Sequence, residues 1–134
     1  MALIPATKPL KQLMPQEIEV WYIIPAIRRE LAKSMIKKGL KQKEVAKILG
    51  ITEAAVSQYI KQKRAKDVVF TPETMSEIEK SAEAIIKNSS QIISEMQKLL
   101  ESAKKSRTLC QIHYKYGLNI QNCEACMGGK EVKT

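Results

Sequence analysis

The segment Gln42-Lys-Glu-Val-Ala-Lys-Ile-Leu-Gly-Ile-Thr-Glu-Ala-Ala-Val-Ser-Gln-Tyr-Ile-Lys61 decides the fold of this chain. Val45 and Leu49 are apolar at positions i and i+4, which gives a short helix one face to bury. Gly50 follows where the backbone must turn into the left-handed conformation that glycine tolerates best. Thr52 can then cap a second helix with its hydroxyl. The pattern predicts two short helices, 42–49 and 53–63, joined by a tight turn.

The side chains between these landmarks suit two helices that cross closely. Ala46 is small at the crossing point, Ile51 fills the turn, and Val56 and Tyr59 are placed to hold the second helix from behind. These features at these offsets are typical of a helix-turn-helix motif, whose second helix enters the major groove of DNA.

The outward face of the second helix, which we name the recognition face, consists of Glu53, Ala54, Ser57, Gln58 and Lys61. Gln58 can pair with adenine, Ser57 with several bases, and Ala54 can touch a thymine methyl group. Lysine and arginine side chains around the recognition face are expected to contact DNA phosphates. The full set predicted to bind DNA is Lys41, Lys43, Thr52, Glu53, Ala54, Ser57, Gln58, Lys61, Lys63 and Arg64. For any one of the polar residues, plain exposure to solvent is the alternative interpretation.

Positive charge is concentrated around this motif. The 134-residue chain has a net charge of +9. The stretch from Arg28 to Lys66 holds twelve Lys or Arg and three Glu, so it accounts for the whole excess. Such a patch predicts a polyanionic partner. A solvated surface without a partner is the alternative, and a membrane surface fits less well because the stretch is not one basic amphipathic helix.

The chain before the motif is predicted as a loose arm followed by an interrupted helix. Three prolines in the first fifteen residues prevent a helix over 1–14. Ile18, Trp21 and Tyr22 then share one helical face. Pro25 predicts a kink or a fresh helix start.

The chain after the motif is predicted to be helical over 71–106. Apolar and small residues there alternate by three and four over about four heptads, namely Met75, Ile78, Ala82, Ile85, Ser89, Ile92, Met96, Leu99 and Ala103. This seam predicts dimerisation, with Ile85, Ile92 and Leu99 at its centre. Two amphipathic helices packed within one chain explain the pattern equally well. A possible break at 88–90 leaves open whether the segment is one helix or two.

Metal-ligand spacing marks the C-terminal tail. Cys110 and His113 form one pair, and Cys123 and Cys126 form another. Four such ligands suit tetrahedral Zn²⁺. Three thiolates also suit an iron–sulfur cluster, with His113 or an outside ligand completing it. The spacing does not decide between them, and three free cysteines with an incidental histidine are the alternative. The tail has few apolar residues, so a metal would be needed to hold its shape.

Residues 15–64 resemble an archaeal family of predicted transcriptional regulators that is similar to Cro/cI-type repressors in its DNA-binding part. The resemblance is carried by the stretches 17–32, 39–50 and 52–60. The stretches Leu109-Cys-Gln-Ile-His113 and Cys123-Glu-Ala-Cys126 resemble that family's C-terminal cysteine motif. Some of these relatives are iron–sulfur-sensing regulators. The resemblance therefore implies a cluster here, with [4Fe–4S] favoured and Zn²⁺ as the alternative.

An enzyme is not expected. The chain lacks a βαβ pattern for a thioredoxin-like site, a Gly-rich phosphate loop and a pair of carboxylates in an apparent pocket. A thiol redox enzyme is the remote alternative. With no targeting segment or membrane span visible, we expect a cytoplasmic protein without structural disulfides.

Together these patterns predict an all-α fold in four parts: a flexible arm over 1–14, a helix-turn-helix DNA-binding domain over 15–70, dimerisation helices over 71–106 and a cysteine-rich metal-binding tail over 107–134. The predicted protein is a homodimer that binds a palindromic operator in double-stranded DNA, because one such motif contacts too few bases for selectivity. DNA binding that responds to the cluster is the favoured function, and a regulator with a purely structural zinc site is the alternative.

Overall fold

The chain is helical throughout the part that its computed structural model describes, residues 14–61 and 68–115 without the side chains of His113 and Lys115. The helices are α1 Pro15–Ile18, α2 Ile24–Lys37, α3 Gln42–Leu49, α4 Glu53–Ile60, α5 Pro72–Lys87, α6 Ile92–Lys105 and α7 Thr108–Lys115. A π-helical turn, Glu19–Ile23, joins α1 to α2, and a 3₁₀ turn, Ser89–Gln91, precedes α6. Residues 14–61 and 68–115 contain no strand, as the all-α prediction expected. None of their helices combines the length and the apolar character needed to cross a membrane.

The π-helical turn lies directly before Pro25, where a kink or a fresh start was predicted. Proline has no N–H to donate to the preceding turn. In the π-helical turn the N–H of Ile24 reaches back five residues to the carbonyl of Glu19. A new α-helix, α2, then begins at Ile24 with the proline in its first turn.

This wider turn also changes which side chains face the core. Ile18 and Ile23 are both fully buried, although five residues of a regular α-helix would set them about 140° apart. Trp21 and Tyr22 are only half-buried at the edge of the core. The prediction that Ile18, Trp21 and Tyr22 face the same side agrees with their packing against one core, but it missed Ile23, because it assumed regular α-helical spacing.

Helix α2 is the centre of the molecule. Its side chains Ile27, Leu31 and Met35 are fully buried. Helices α3, α4 and α5 pack around it, and α6 packs against α5. One continuous apolar cluster extends from Ile18 to Ile112. The predicted helix-turn-helix part and the predicted dimerisation part therefore share a single core.

The apolar seam of residues 71–106 belongs to this internal core. Ile85 and Leu99 are fully buried within one chain, and Ile92 packs against them half-buried. Asn88 breaks the segment into two helices, and its Oδ1 accepts a hydrogen bond from the Ser90 N–H at 3.1 Å. The interpretation as two helices packed within one chain is the one that the structure shows. Ile85 and Leu99 of the seam are thus not exposed to a second copy, whereas Ile92 is partly exposed.

Helix α7 gives the predicted tail a structured beginning. It packs against α6 and α1, and its Leu109, Cys110 and Ile112 are buried. The expectation that the tail has too few apolar residues to hold its shape was wrong for this helix, because Leu109 and Ile112 join the main core. The predicted arm, apart from Met14, and residues 116–134 lie outside the described residues.

Candidate nucleic-acid interface

Helices α3 and α4 meet through the tight turn that the sequence predicts. Gly50 has a left-handed backbone with φ of 71°, and the Ile51 N–H donates to the Ala46 carbonyl at 3.0 Å. This is the Schellman pattern that closes a helix. Thr52 Oγ1 accepts a hydrogen bond from the Ala55 N–H at 3.0 Å and caps α4. The turn and cap predictions are confirmed, and α4 ends at Ile60 rather than at residue 63.

The inner faces of both helices hold α4 rigidly against the core. Val45 and Leu49 of α3 are buried, as are Val56 and Tyr59 of α4. Ala55, which the sequence analysis did not single out, is buried as well. Helix α4 packs against both α2 and α3, so the direction of its outward face is fixed relative to the core.

The recognition face is turned toward solvent. Glu53, Ala54, Gln58 and Lys61 are exposed, and Ser57 is half-buried. These side chains offer a carboxylate, a methyl group, a hydroxyl, an amide and an ammonium group on one side of a helix. That set can make hydrogen bonds and apolar contacts with base edges.

Exposed lysines lie at the start of α3. Lys41 and Lys43 are both exposed, as phosphate contacts require. The Lys41 N–H donates to the Glu44 carboxylate at 2.8 Å, which fixes the first turn of α3. The remaining predicted phosphate contacts, Lys63 and Arg64, lie outside the described residues.

Two further exposed residues of α3 were missed in the sequence analysis. Gln42 is the first residue of the helix, and Lys47 lies one turn after Lys43. The i, i+4 spacing of Lys43 and Lys47 was the available signal, since such residues share one helical face. Both residues enlarge the polar surface that can face a DNA backbone.

Part of the basic stretch stabilises the fold instead of facing a partner. Arg29 is only 7% exposed, and its Nη2 donates to the Val68 carbonyl at 3.0 Å while its Nε contacts Glu30 at 2.7 Å. Lys38 Nζ lies 3.3 Å from Glu83 and 3.8 Å from Glu79 on α5. These two cations are therefore committed to internal contacts, and the interface charge is smaller than the sequence count.

The structure describes only part of the predicted metal site. The thiol of Cys110 is buried on α7, and Arg107 Nη1 lies 3.9 Å from its sulfur. The His113 side chain, Cys123 and Cys126 lie outside the described residues. Within 14–61 and 68–115, no three side chains of His, Cys, Asp or Glu are grouped to hold a metal ion.

Comparison with known families supports the geometry. Residues 31–69 match a family model described as Helix-turn-helix. No curated protein and no solved structure matched the chain. The matched segment contains α3, α4 and every residue predicted to contact DNA. Over residues 31–69 the chain is therefore similar to helix-turn-helix domains, the kind of domain that DNA-binding transcriptional regulators use.

Proposed function

We propose that this protein is a sequence-specific, cytoplasmic transcriptional regulator that binds double-stranded DNA and has no enzymatic activity. The observation that carries the proposal is the arrangement of α4. Its Val56 and Tyr59 are buried against the core while its recognition face is turned to solvent. The helix before it, α3, carries the exposed lysines Lys43 and Lys47, and Lys41 is exposed at its N-cap.

In this proposal α4 lies in the major groove with its N-terminal half near the base edges. Ser57 and Gln58 make hydrogen bonds to bases, and Ala54 packs against a thymine methyl group. The lysines of α3 neutralise phosphates and fix the orientation of the domain. Because α4 is held by a packed core, base contacts need little reordering of the protein.

We further propose that two copies bind one palindromic operator. One helix-turn-helix contacts a single half-site, and two-fold symmetry places two half-sites about one helical turn, roughly 34–36 Å, apart. Since Ile85 and Leu99 are buried inside one chain, other residues form the dimer contact in this proposal.

The cysteine motif is proposed to hold an iron–sulfur cluster, [4Fe–4S] by preference, that tunes DNA affinity. Three thiolates, Cys110, Cys123 and Cys126, are a suitable donor set, with His113 or an outside ligand completing it. The described part fits this role, because Cys110 has a fixed position on α7 and a guanidinium, that of Arg107, lies beside its sulfur. Such a cluster, when bound, supplies a redox-sensitive group. Since α7 packs on α1 and α6, a change in the ligand role of Cys110 would act on a helix that belongs to the main core.

A structural zinc site is the second candidate, because the same ligand spacing suits Zn²⁺. Cys110 does not suit the role of a catalytic thiol in a redox enzyme, because it is buried. Catalytic thiols need access to substrate and lie in partly exposed surroundings.

Anaerobic purification with iron, sulfide and zinc analysis separates these candidates. We expect a brown protein with several irons and sulfides per chain. The iron and sulfide should be lost in each of three variants, Cys110→Ser, Cys123→Ser and Cys126→Ser. Ser94→Ala, an exposed change outside the motif, is the matched control and should keep the cluster. A colourless protein with one zinc per chain would leave the structural zinc site instead.

DNA titration of cluster-loaded and cluster-free protein then tests the sensing claim. We expect the two forms to differ in affinity for the same operator duplex. Equal affinities would end the sensing claim while leaving the ligands in place. If neither form binds any DNA sequence preferentially, the proposal of a regulator fails as a whole.

A further inference from the structure

We propose that Glu53 is a specificity-determining residue that selects a cytosine in each half-site. The inference rests on the proposed function and adds to it the chemistry of one base contact. It starts from an apparent conflict, because a carboxylate occupies the recognition face of a domain whose partner is a polyanion.

The other two carboxylates of the basic stretch have roles within the fold. Glu30 accepts a hydrogen bond from Arg29 Nε at 2.7 Å. Glu44 accepts one from the Lys41 N–H at 2.8 Å and caps α3. Glu53, in contrast, is exposed as the first residue of α4. In the described residues no lysine or arginine forms an ion pair with it.

The position of Glu53 puts its carboxylate where the recognition helix approaches base edges. It directly follows the capping residue Thr52, and the N-terminal residues of such a helix are the ones that enter the major groove. An acidic residue in the first turn also stabilises a helix through its dipole, but that effect is small at an exposed site. Helix stabilisation alone would make Glu53 indifferent to DNA sequence.

Electrostatics gives Glu53 a discriminating role. Its negative charge opposes binding to the phosphates of any duplex, so it lowers affinity for DNA in general. A base edge offsets this cost only by donating a hydrogen bond. In the major groove, cytosine presents the N4 amino donor, whereas guanine and thymine present acceptors and adenine places the N7 acceptor beside its amino group. A cytosine facing Glu53 is therefore the favoured partner, and other bases are disfavoured by repulsion.

The test measures base preference at every position of a half-site. Duplexes based on the sequence that the wild-type protein selects are varied to all four base pairs, one position at a time, and their affinities are measured by fluorescence anisotropy. The wild type should prefer cytosine at one position by roughly tenfold or more. Glu53→Ala should lose that preference, and Glu53→Gln should move it to adenine, which an amide can contact through N6 and N7. Both variants should bind a random duplex roughly two- to threefold more tightly, because a like charge is removed.

Glu44→Gln is the matched control. It removes one negative charge from the same domain and keeps an oxygen that can accept from the Lys41 N–H. Its base preferences should equal those of the wild type. Circular dichroism and thermal unfolding show whether each variant keeps its helices.

If folded Glu53→Ala keeps every base preference of the wild type, the inference is overturned while the proposed function stands. If the wild-type protein itself shows no preferred sequence, the proposed function has failed, and the two failures are thereby distinguished.

Discussion

Gln58 and Lys61 of α4 are predicted to contact different parts of the DNA, Gln58 a base and Lys61 a phosphate. Both side chains are exposed on the recognition face. We expect Gln58→Ala to weaken binding to the operator by about 1–3 kcal/mol, because a bidentate contact to one base is lost. Lys61→Ala should weaken all sequences to a similar degree and reduce the slope of log affinity against log salt by about one. Affinities measured at several salt concentrations, for operator and random duplexes, distinguish the two effects.

Lys80→Ala is a suitable control for this comparison, since Lys80 is exposed on α5, away from α3 and α4. It should leave both affinity and salt slope close to those of the wild type. Wild-type behaviour of both Gln58→Ala and Lys61→Ala would show that the recognition face has been assigned to the wrong side of α4.

The sequence could predict the role of a single residue where that role depends on residues nearby in the chain. Gly50 and Thr52 act within their own turn, so their roles followed from spacing alone. Arg29 and Lys38 could not be assigned in this way. Their partners are 39 and 45 residues distant along the chain, at Val68 and Glu83. A charge count therefore included both cations in the basic patch, although the fold uses them.

The helical pair α5 and α6 is stabilised within one chain, which predicts how Leu99→Ala will behave. Leu99 is fully buried, so the change should lower the free energy of unfolding by about 2–5 kcal/mol through lost contacts and a cavity. Because Leu99 contacts its own core, that loss should be the same at different protein concentrations. Denaturant unfolding at two widely separated concentrations checks this. Ile93→Ala, at a position 71% exposed, is the control and should change stability little. A Leu99→Ala loss that grows with rising concentration would restore the seam as a dimer interface, because dimer formation stabilises the wild type more at higher concentration.

A buried carboxylate links the same two helices and gives stability a dependence on pH. The Ser81 hydroxyl donates to Glu95 Oε1 at 2.7 Å, and Lys98 Nζ lies 3.2 Å from Oε2. The hydrogen bond from Ser81 and the nearby Lys98 hold the pKa of Glu95 below its ordinary value of 4.5, although burial acts to raise it. A lowered pKa in the folded state means that the stabilisation is complete above the unfolded pKa. It is lost as the pH falls through the folded pKa.

We therefore expect Glu95→Gln to be less stable than the wild type near pH 6, with the difference shrinking toward pH 3. Urea unfolding at a series of pH values measures it. Glu101→Gln, an exposed change on the same helix, should show a much weaker trend. A constant difference between Glu95→Gln and wild type across this range would show that the charge of Glu95 does not contribute.

Among the elements, amphipathic patterns predicted that α5 and α6 have one apolar face each, but not what covers that face. The apolar residues need the same spacing whether the helix packs against a helix of its own chain or against a helix of a second copy. The π-helical turn was likewise beyond the sequence pattern. Its register depends on burying Ile18 and Ile23 together while passing Pro25, which is a property of the packed core.

For the whole molecule, one core connects the helix-turn-helix domain to α7 and the beginning of the cysteine motif. The four-part division seen in the sequence arose from changes in composition. Such changes do not reveal that Leu109 and Ile112 are buried with α2. This connection gives a physical route by which the state of Cys110 can affect α4, since α2 contacts α4 directly.

Selection from a random-sequence duplex library by the wild-type protein tests the central claim, DNA recognition by α4, most directly. The account predicts enrichment of one inverted repeat whose half-sites are centred about 10–10.5 base pairs, or a multiple of that spacing, apart. Binding to it should weaken steeply as salt is raised. If a protein that is helical by circular dichroism enriches no sequence and retains no duplex even at low salt, the account of α4 as a recognition helix is contradicted.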